Sequence, residues 1–362
     1  MRWGSVAGVE AAISSMKIDA PLLAANALQA RVLAPALEAE GYDGAYTFDG
    51  PNDPFLPLAI AAEHTERLQL MTAIAVAFAR NPMTVAQLGN ELQQMSQGRF
   101  VLGLGSQIRA HIEKRFSMPW SAPAARMREF VQAVQAIWRH WNEGVPLEFR
   151  GEFYTHTLMP PLLSPGPNPY GPPRILLAGV GAKMIEVAGE VADGLLIHPF
   201  HSAPYLEECL WPALRRGMTR SGRPRESLEV ALQLLVACGR TADERAVAVA
   251  QIRSQIGFYA STPAYRPVLD AMGCGELQEK LNVLIRQGRW DELGACIDDD
   301  LLHAVALVGT PVEVAGQIVT RYRGQVERVS PTAYIGNPEV AQALVLALRH
   351  ELQSVSVQHA RH

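Results

Sequence analysis

The chain has 362 residues, 48% of them hydrophobic and 19% charged, a globular profile with material for one large core or two smaller ones. Its 32 basic and 36 acidic residues leave a formal net charge of -4. There is no basic excess to follow a phosphate backbone, so nucleic acid is an unsuitable partner, and no apolar run approaches the roughly 20 residues of a membrane span.

Residues 1–15 contain one Arg and no sustained apolar core, a poor signal peptide. They are expected to be an extension outside the fold, from a start codon set too early, with one domain over 16–355. KIDAPLL, directly after Met16, reads as the first strand, and Ala24 to Glu40 as a helix that stops at Gly41. GAYTFD (44–49) is the second strand. Asp53-Pro54 then offers a carboxylate to free backbone N–H groups and a proline suited to the first helical position, and the helix runs through Glu66. LQLMTAIAVAF (68–78) is a third strand, with Asn81-Pro82 opening the next helix. Gly98 to Gly105 is a fourth strand and Pro123 to Trp141 a fourth helix.

The middle is less regular. GEFYTHTL (151–158) alternates like a strand, and Pro160 to Pro173 holds seven prolines in fourteen residues, a stiff excursion within an insertion over about 142–173. The rhythm resumes with RILLAG, a helix, GLLIHPF (194–200) and a helix from about Pro204. LEVALQLLVACG (228–239) is the seventh strand, and Thr241 to Glu244 forms a capping box before AVAVAQI. Residues 257–303 have helical stretches without strand alternation and read as a second insertion. Thr310-Pro311-Val312-Glu313 is another capping box, VERVSPTAYI (326–335) the last strand, and 338–352 the closing helix.

Eight strand candidates alternating with helices argue for α/β architecture as a single (β/α)8 TIM barrel. The alternative is an open doubly wound sheet, but no G-x-G-x-x-G follows the first strand. Cys209, Cys238, Cys274 and Cys296 include no CxxC pair and no nearby histidine pair at zinc spacing, so no metal site is expected. They read as free thiols of a cytoplasmic protein.

Barrel enzymes place their chemistry at the C-terminal ends of the strands. Gly179-Val180-Gly181 sits at such an end and opens a helix, where free N–H groups and the positive end of the dipole favour an anion. Lys183 adds a cation in the first turn. A tight turn that needs glycine for its angles is the competing explanation.

From about Met16 to the last strand the chain resembles the bacterial luciferase-like family of flavin and deazaflavin enzymes, and within it the actinobacterial oxidoreductases that use coenzyme F420, an 8-hydroxy-5-deazaflavin. The matching stretches are KIDAPL, YDGAYTFDGPNDPFLPLAIAAEHTERLQL, GRFVLGLGSQ, HIEKRFSMPWSAPAARMREF, LLAGVGAKM, EVADGLLIHPF, STPAYRPVL and VALVGTPVEVA. The resemblance implies that LLAGVGAKM cradles the cofactor phosphate on its backbone. It implies a bulge with a non-prolyl cis peptide at Ala73-Ile74, supporting one face of the ring. It implies that Gly105-Ser106-Gln107 bonds the ring or its side chain, that Phe48-Asp49 and Asn52-Asp53 face the pocket mouth, and that the protein is a homodimer.

The chain departs from its relatives at Asn52, where related members often carry His. Asn cannot shuttle a proton. Asp49 is the first replacement and His198 the second; Asp53 reads as a helix cap, and Asp19 could reach the pocket. In the second insertion, Tyr259, Tyr265 and Arg266 are expected to lid the pocket and read a small-molecule substrate, with Asn52 beside them. The favoured activity is F420-dependent hydride transfer. The alternatives are a monooxygenase using reduced FMN and oxygen, and a flavin-binding protein without turnover.

Overall fold

The computed structural model describes residues 16–359, so the expected extension over 1–15 lies outside the described residues. Eight parallel strands close on themselves: β1 (Lys17–Pro21), β2 (Gly44–Thr47), β3 (Gln69–Thr72, continued by Ala75–Val76), β4 (Phe100–Gly105), β5 (Arg174–Ala178), β6 (Gly194–Ile197), β7 (Glu229–Gln233) and β8 (Arg328–Ser330). Each pairs with its neighbour in sequence, and β8 returns to β1 with Lys17 opposite Arg328. This is a (β/α)8 barrel.

Several of the surrounding helices begin where a side chain satisfies a free N–H group. Asn81 accepts from the Met83 N–H at 2.9 Å with Pro82 at the first helical position. Both expected capping boxes form, Thr241 with Glu244 and Thr310 with Glu313. No helix of the described residues is long and apolar enough to cross a membrane.

Three expected strands are shorter or differently used. The run 68–78 is interrupted after Thr72 and ends in a 3-10 turn at Ala77–Ala79. The run 228–239 leaves the barrel at Leu234: Leu235–Cys238 pairs in parallel with Ala306–Gly309 as a separate two-stranded sheet. Of 151–158, only Thr155–His156 is extended, in an antiparallel hairpin with Phe149–Arg150. The second insertion starts later than 257, because the helix Ala242–Ala260 runs through that position; short helices then fill the chain to Val305.

The strands alternate inward and outward. Outward residues join the helices in the main core, while Tyr46, Met71, Val101, Leu176, Leu196 and Ala231 form a separate cluster inside the barrel. Below that cluster, toward the strand N-termini, the interior is ionic. Arg328 donates from Nε and Nη2 to the two carboxylate oxygens of Asp19 at 2.8 and 2.5 Å, with both side chains at most 3% exposed. Gly44 makes the room: a Cβ there would collide with Asp19 Oδ1. The bottom of the barrel is thus filled, and the open volume lies at the C-terminal end.

Candidate active site

A cavity of about 550 Å³, within the range of small-ligand and cofactor sites, occupies that end. Of the residues singled out from the sequence, Ala73, Ile74, Gly105, Ser106, Gln107, Gly179, Val180, Gly181, His198 and Tyr265 line it. Asp49, Asn52, Tyr259 and Arg266 do not.

One wall is made by an irregularity in β3. Met71 stands opposite Val101, but Ala75 stands opposite Leu104, so β3 carries one extra residue across this interval. Thr72 repairs the interrupted ladder with its side chain: its hydroxyl donates to the Gly103 carbonyl at 2.7 Å and accepts from the Gly103 N–H at 2.9 Å. The Ala73-Ile74 peptide within the bulge is cis. Ile74 projects to the cavity beside Gly105, where a Cβ would come within 2.8 Å of Ile74 Cδ1. Glycine at 105 therefore leaves the room that the Ile74 side chain takes at this wall.

Asp49 belongs to the support of this bulge and is not a free acid at the pocket. Its N–H donates to the Ile74 carbonyl at 2.9 Å, and its carboxylate accepts from the Val76 N–H at 2.6 Å and from Arg80 at 2.5 and 3.2 Å. The carboxylate is 7% exposed. Asp49→Asn keeps an acceptor for Val76 but removes the charge that holds Arg80. A stability loss of about 1–3 kcal/mol is expected in urea denaturation, with every limb of the pH–rate profile retained. A lost limb with unchanged stability would restore Asp49 as the proton carrier.

The other three displaced candidates have equally specific partners. Asn52 donates to the Ala25 carbonyl at 3.2 Å on the exterior. Arg266 pairs with Glu279 at 2.8 Å and with Asp270 at 3.4 Å, pointing away from the cavity. Tyr259 bonds Tyr334 through their hydroxyls at 2.8 Å and packs edge-on against His198 from behind. Asp53 accepts from the Phe55 N–H at 2.8 Å, a helix-capping contact, and also binds Arg80. Asp19 reaches the cavity floor but is consumed by Arg328.

Two strands on, beyond β4, β5 ends at Ala178 and the helix Ala182–Val191 begins after Gly181. The two glycines differ. A Cβ at Gly179 would meet Met184 Cγ at 3.0 Å and the Ile185 nitrogen at 3.3 Å, so a side chain there would press on the start of the helix. Gly181 has φ -77° and ψ 140°, ordinary extended backbone, and a Cβ would meet nothing within 4 Å. Neither its angles nor its packing explains the missing side chain. The space in front of it opens on the cavity. Tyr205, 2% exposed, donates its hydroxyl to the Val180 carbonyl at 2.5 Å. Carbonyl and N–H of one trans peptide point oppositely, so this bond turns the Gly181 N–H away from Tyr205. The Met184 and Ile185 N–H groups donate to the Gly181 carbonyl at 2.9 and 3.2 Å, which leaves the N–H groups of Gly181, Ala182 and Lys183 without a partner among the described residues.

His198 stands at the end of β6. Its Nδ1 accepts from the Phe200 N–H at 3.1 Å, and its ring lies 4.2 Å from that of Tyr265, tilted by 30°. Burial, with the neighbouring His201 adding to it, pushes the His198 pKa down to about 3; burial likewise takes His201 to about 4. Both rings are therefore neutral near pH 7, so His198 does not titrate there as a general acid or base. Histidines of the unfolded chain protonate near 6.5, so below that pH the unfolded state gains protons the folded state refuses. Stability should be indifferent to these two groups above about pH 7. It should fall as pH drops from about 6.5 toward 4, by at most about 1.4 kcal/mol per pH unit per histidine. His201→Gln should remove one proton from that slope; a flat urea midpoint between pH 7 and 5 in the unmodified protein would contradict the assignment.

Several lining residues carried no sequence signal of function: Tyr46, Met71, Trp120, Leu196, Gln233 and Ser330. Strand alternation could have placed Tyr46 and Met71 inside, but not distinguished a pocket wall from core. Tyr46 and Ser330, on the two strands that flank β1, bond each other at 3.0 Å. Among the described residues no group of three or more His, Cys, Asp or Glu side chains could hold a metal, and the four cysteines are free thiols.

Residues 12–328 match the family described as luciferase-like monooxygenase. An uncharacterized protein of Mycobacterium tuberculosis is 52% identical over 316 residues, covering 87% of this chain and 93% of its own. A second Mycobacterium tuberculosis protein, provisionally assigned as a coenzyme F420-dependent oxidoreductase, is 28% identical over 298 residues, 76% of this chain and 82% of its own. Among solved structures, the coenzyme F420-dependent tetrahydromethanopterin reductase of Methanopyrus kandleri superposes with a TM-score of 0.75 at 22% identity, over 91% of this chain and 97% of that one.

Proposed function

The chain belongs to the luciferase-like monooxygenase family, and from that premise we propose that it is an oxidoreductase which binds coenzyme F420 in the barrel-end cavity and exchanges hydride with a small organic substrate. The observation that carries this reading is the pairing, in one cavity, of an apolar wall at Ile74 with the side-chain-free space at Gly181. The first suits a planar ring. The second, beside unpaired N–H groups at a helix start, suits a phosphate. The residues present fit such a cofactor: the only carboxylate in the lining, Asp19, is neutralised by Arg328 and would not repel the anion.

When bound, the deazaflavin supplies a two-electron hydride donor or acceptor. The chain does the rest. The bulge, held by Thr72 and Asp49, presents Ile74 as a support for one ring face. Gly105 keeps that support low, and Gly105-Ser106-Gln107 closes the edge of the site. Tyr205 sets the Gly179–Gly181 junction, so that its amides are in place before the anion arrives. The apolar lining from Met71, Leu196 and Ala231 excludes water from the reacting groups. His198, neutral and with its Nδ1 occupied, holds its proton on Nε2.

The family's monooxygenases motivate a second reading, because the Gly181 space would take the phosphate of FMN equally well. Absorbance titrations with F420 and with FMN, followed by turnover with and without oxygen, separate the two. The proposal expects tighter binding of F420 and oxygen-independent turnover; tight FMN binding with oxygen-dependent turnover would replace it. The same reading takes the protein as cytoplasmic and as a homodimer. Leu28, Val32 and Leu56, each more than 60% exposed near the packed helices Ala30–Ala39 and Phe55–His64, support the dimer, which sedimentation equilibrium would test.

A further inference from the structure

Resting on the cofactor reading above, we infer that the substrate is an uncharged molecule which offers a carbonyl or hydroxyl oxygen to the Nε2–H of His198, with an apolar body against Tyr265. An ionised substrate group entering a desolvated cavity needs an unpaired opposite charge. Apart from the helix-start amides at Gly181, which the cofactor phosphate would occupy, the lining provides none among the described residues. Asp19 is held by two bonds from Arg328. Arg109 stands at the exposed rim and pairs with Glu113 at 2.9 Å. Tyr46 and Tyr265 are phenols whose ionisation burial opposes. The remaining lining is apolar, glycine, amide, hydroxyl or imidazole.

The geometry then selects a donor. The Phe200 N–H occupies the Nδ1 lone pair, so the proton of the neutral ring resides on Nε2. No hydrogen-bond partner for Nε2 is present among the described residues, although His198 lines the cavity. Tyr265 against one face and the edge of Tyr259 fix the ring plane, so Nε2–H has a set direction before any ligand binds. A fixed neutral donor in apolar surroundings favours an oxygen acceptor over a hydrocarbon and over a second donor such as an ammonium.

The test uses the full chain with four six-carbon-ring probes: cyclohexanone, methylenecyclohexane, cyclohexanecarboxylate and cyclohexylammonium. Binding is followed by calorimetry with and without F420, and F420 affinity is measured for every variant, so that failure of the cofactor reading shows itself separately. Cyclohexanone is expected to bind at least about tenfold more tightly than each of the other three. His198→Phe, which keeps an aromatic ring against Tyr265, should reduce the ketone to the level of methylenecyclohexane, and His198→Gln, which restores an N–H donor, should recover part of the preference. Comparable binding of the carboxylate or the ammonium overturns the inference. So does an unchanged ketone preference in a folded His198→Phe, or no ketone binding up to about 10 mM.

Discussion

Replacing Asp19 by alanine is expected to cost about 3–5 kcal/mol of unfolding free energy, because it leaves a guanidinium in the barrel floor without its principal counter-charge. Arg328 is 1% exposed, so water cannot take over the two bonds that Asp19 accepts. Burial alone would lower the tendency of Arg328 to stay protonated, and Asp19 is the first charge that reverses this. Glu229, whose nearest oxygen is 3.7 Å from Nη1, compensates only in part. The second half of the test removes the pair together. Asp19→Leu with Arg328→Met should regain most of the loss, since an apolar plug of similar volume needs no counter-charge. Urea denaturation of both variants measures this. A loss below about 1 kcal/mol in Asp19→Ala would mean that the pair behaves as a solvated surface bridge.

Gly181→Val is expected to lower F420 affinity at least about tenfold, or 1.4 kcal/mol, while the protein remains folded. The backbone at 181 is extended and accepts a β-branched residue, and nothing in the chain lies within 4 Å of the new Cβ. The valine therefore competes only with what enters the cavity. Gly179→Val is a poorer test, because its Cβ would press on Met184 and the Ile185 nitrogen and disturb the helix itself. Tyr205→Phe complements it without adding bulk: loss of the bond to the Val180 carbonyl should weaken F420 binding and leave a phosphate-free deazaflavin unaffected. Titrations in which folded Gly181→Val binds F420 like the unmodified protein would reduce the junction to a turn.

The barrel was visible in the sequence because each strand is a short apolar run ended by glycine, asparagine, aspartate or proline, and several helices have their own start signal, as at Asn81-Pro82 and the two threonine capping boxes. What lay hidden was register. LQLMTAIAVAF is apolar throughout, so periodicity cannot reveal that one residue is extra; the resemblance, not the pattern, pointed to Ala73-Ile74. LEVALQLLVACG is likewise unbroken, although its second half leaves the barrel at Leu234 to join Ala306–Gly309. Side-chain roles were harder still. Asp49 stands at a strand end, where catalytic carboxylates occur, but its partner Arg80 is 31 residues away and no local rule predicts the pair. Tyr205 gave no signal at all, because its importance lies in a carbonyl 25 residues earlier. His198 was found by position, but the donor that occupies its Nδ1 and the burial that keeps it neutral exist only in the folded chain.

The most direct test of the account is a crystal structure of the protein with F420. The phosphate is expected within hydrogen-bonding distance of the backbone N–H groups at Gly181 and Ala182, and one ring face against Ile74 and the Ala73-Ile74 peptide. A phosphate held elsewhere, with the space in front of Gly181 filled by solvent, would contradict it.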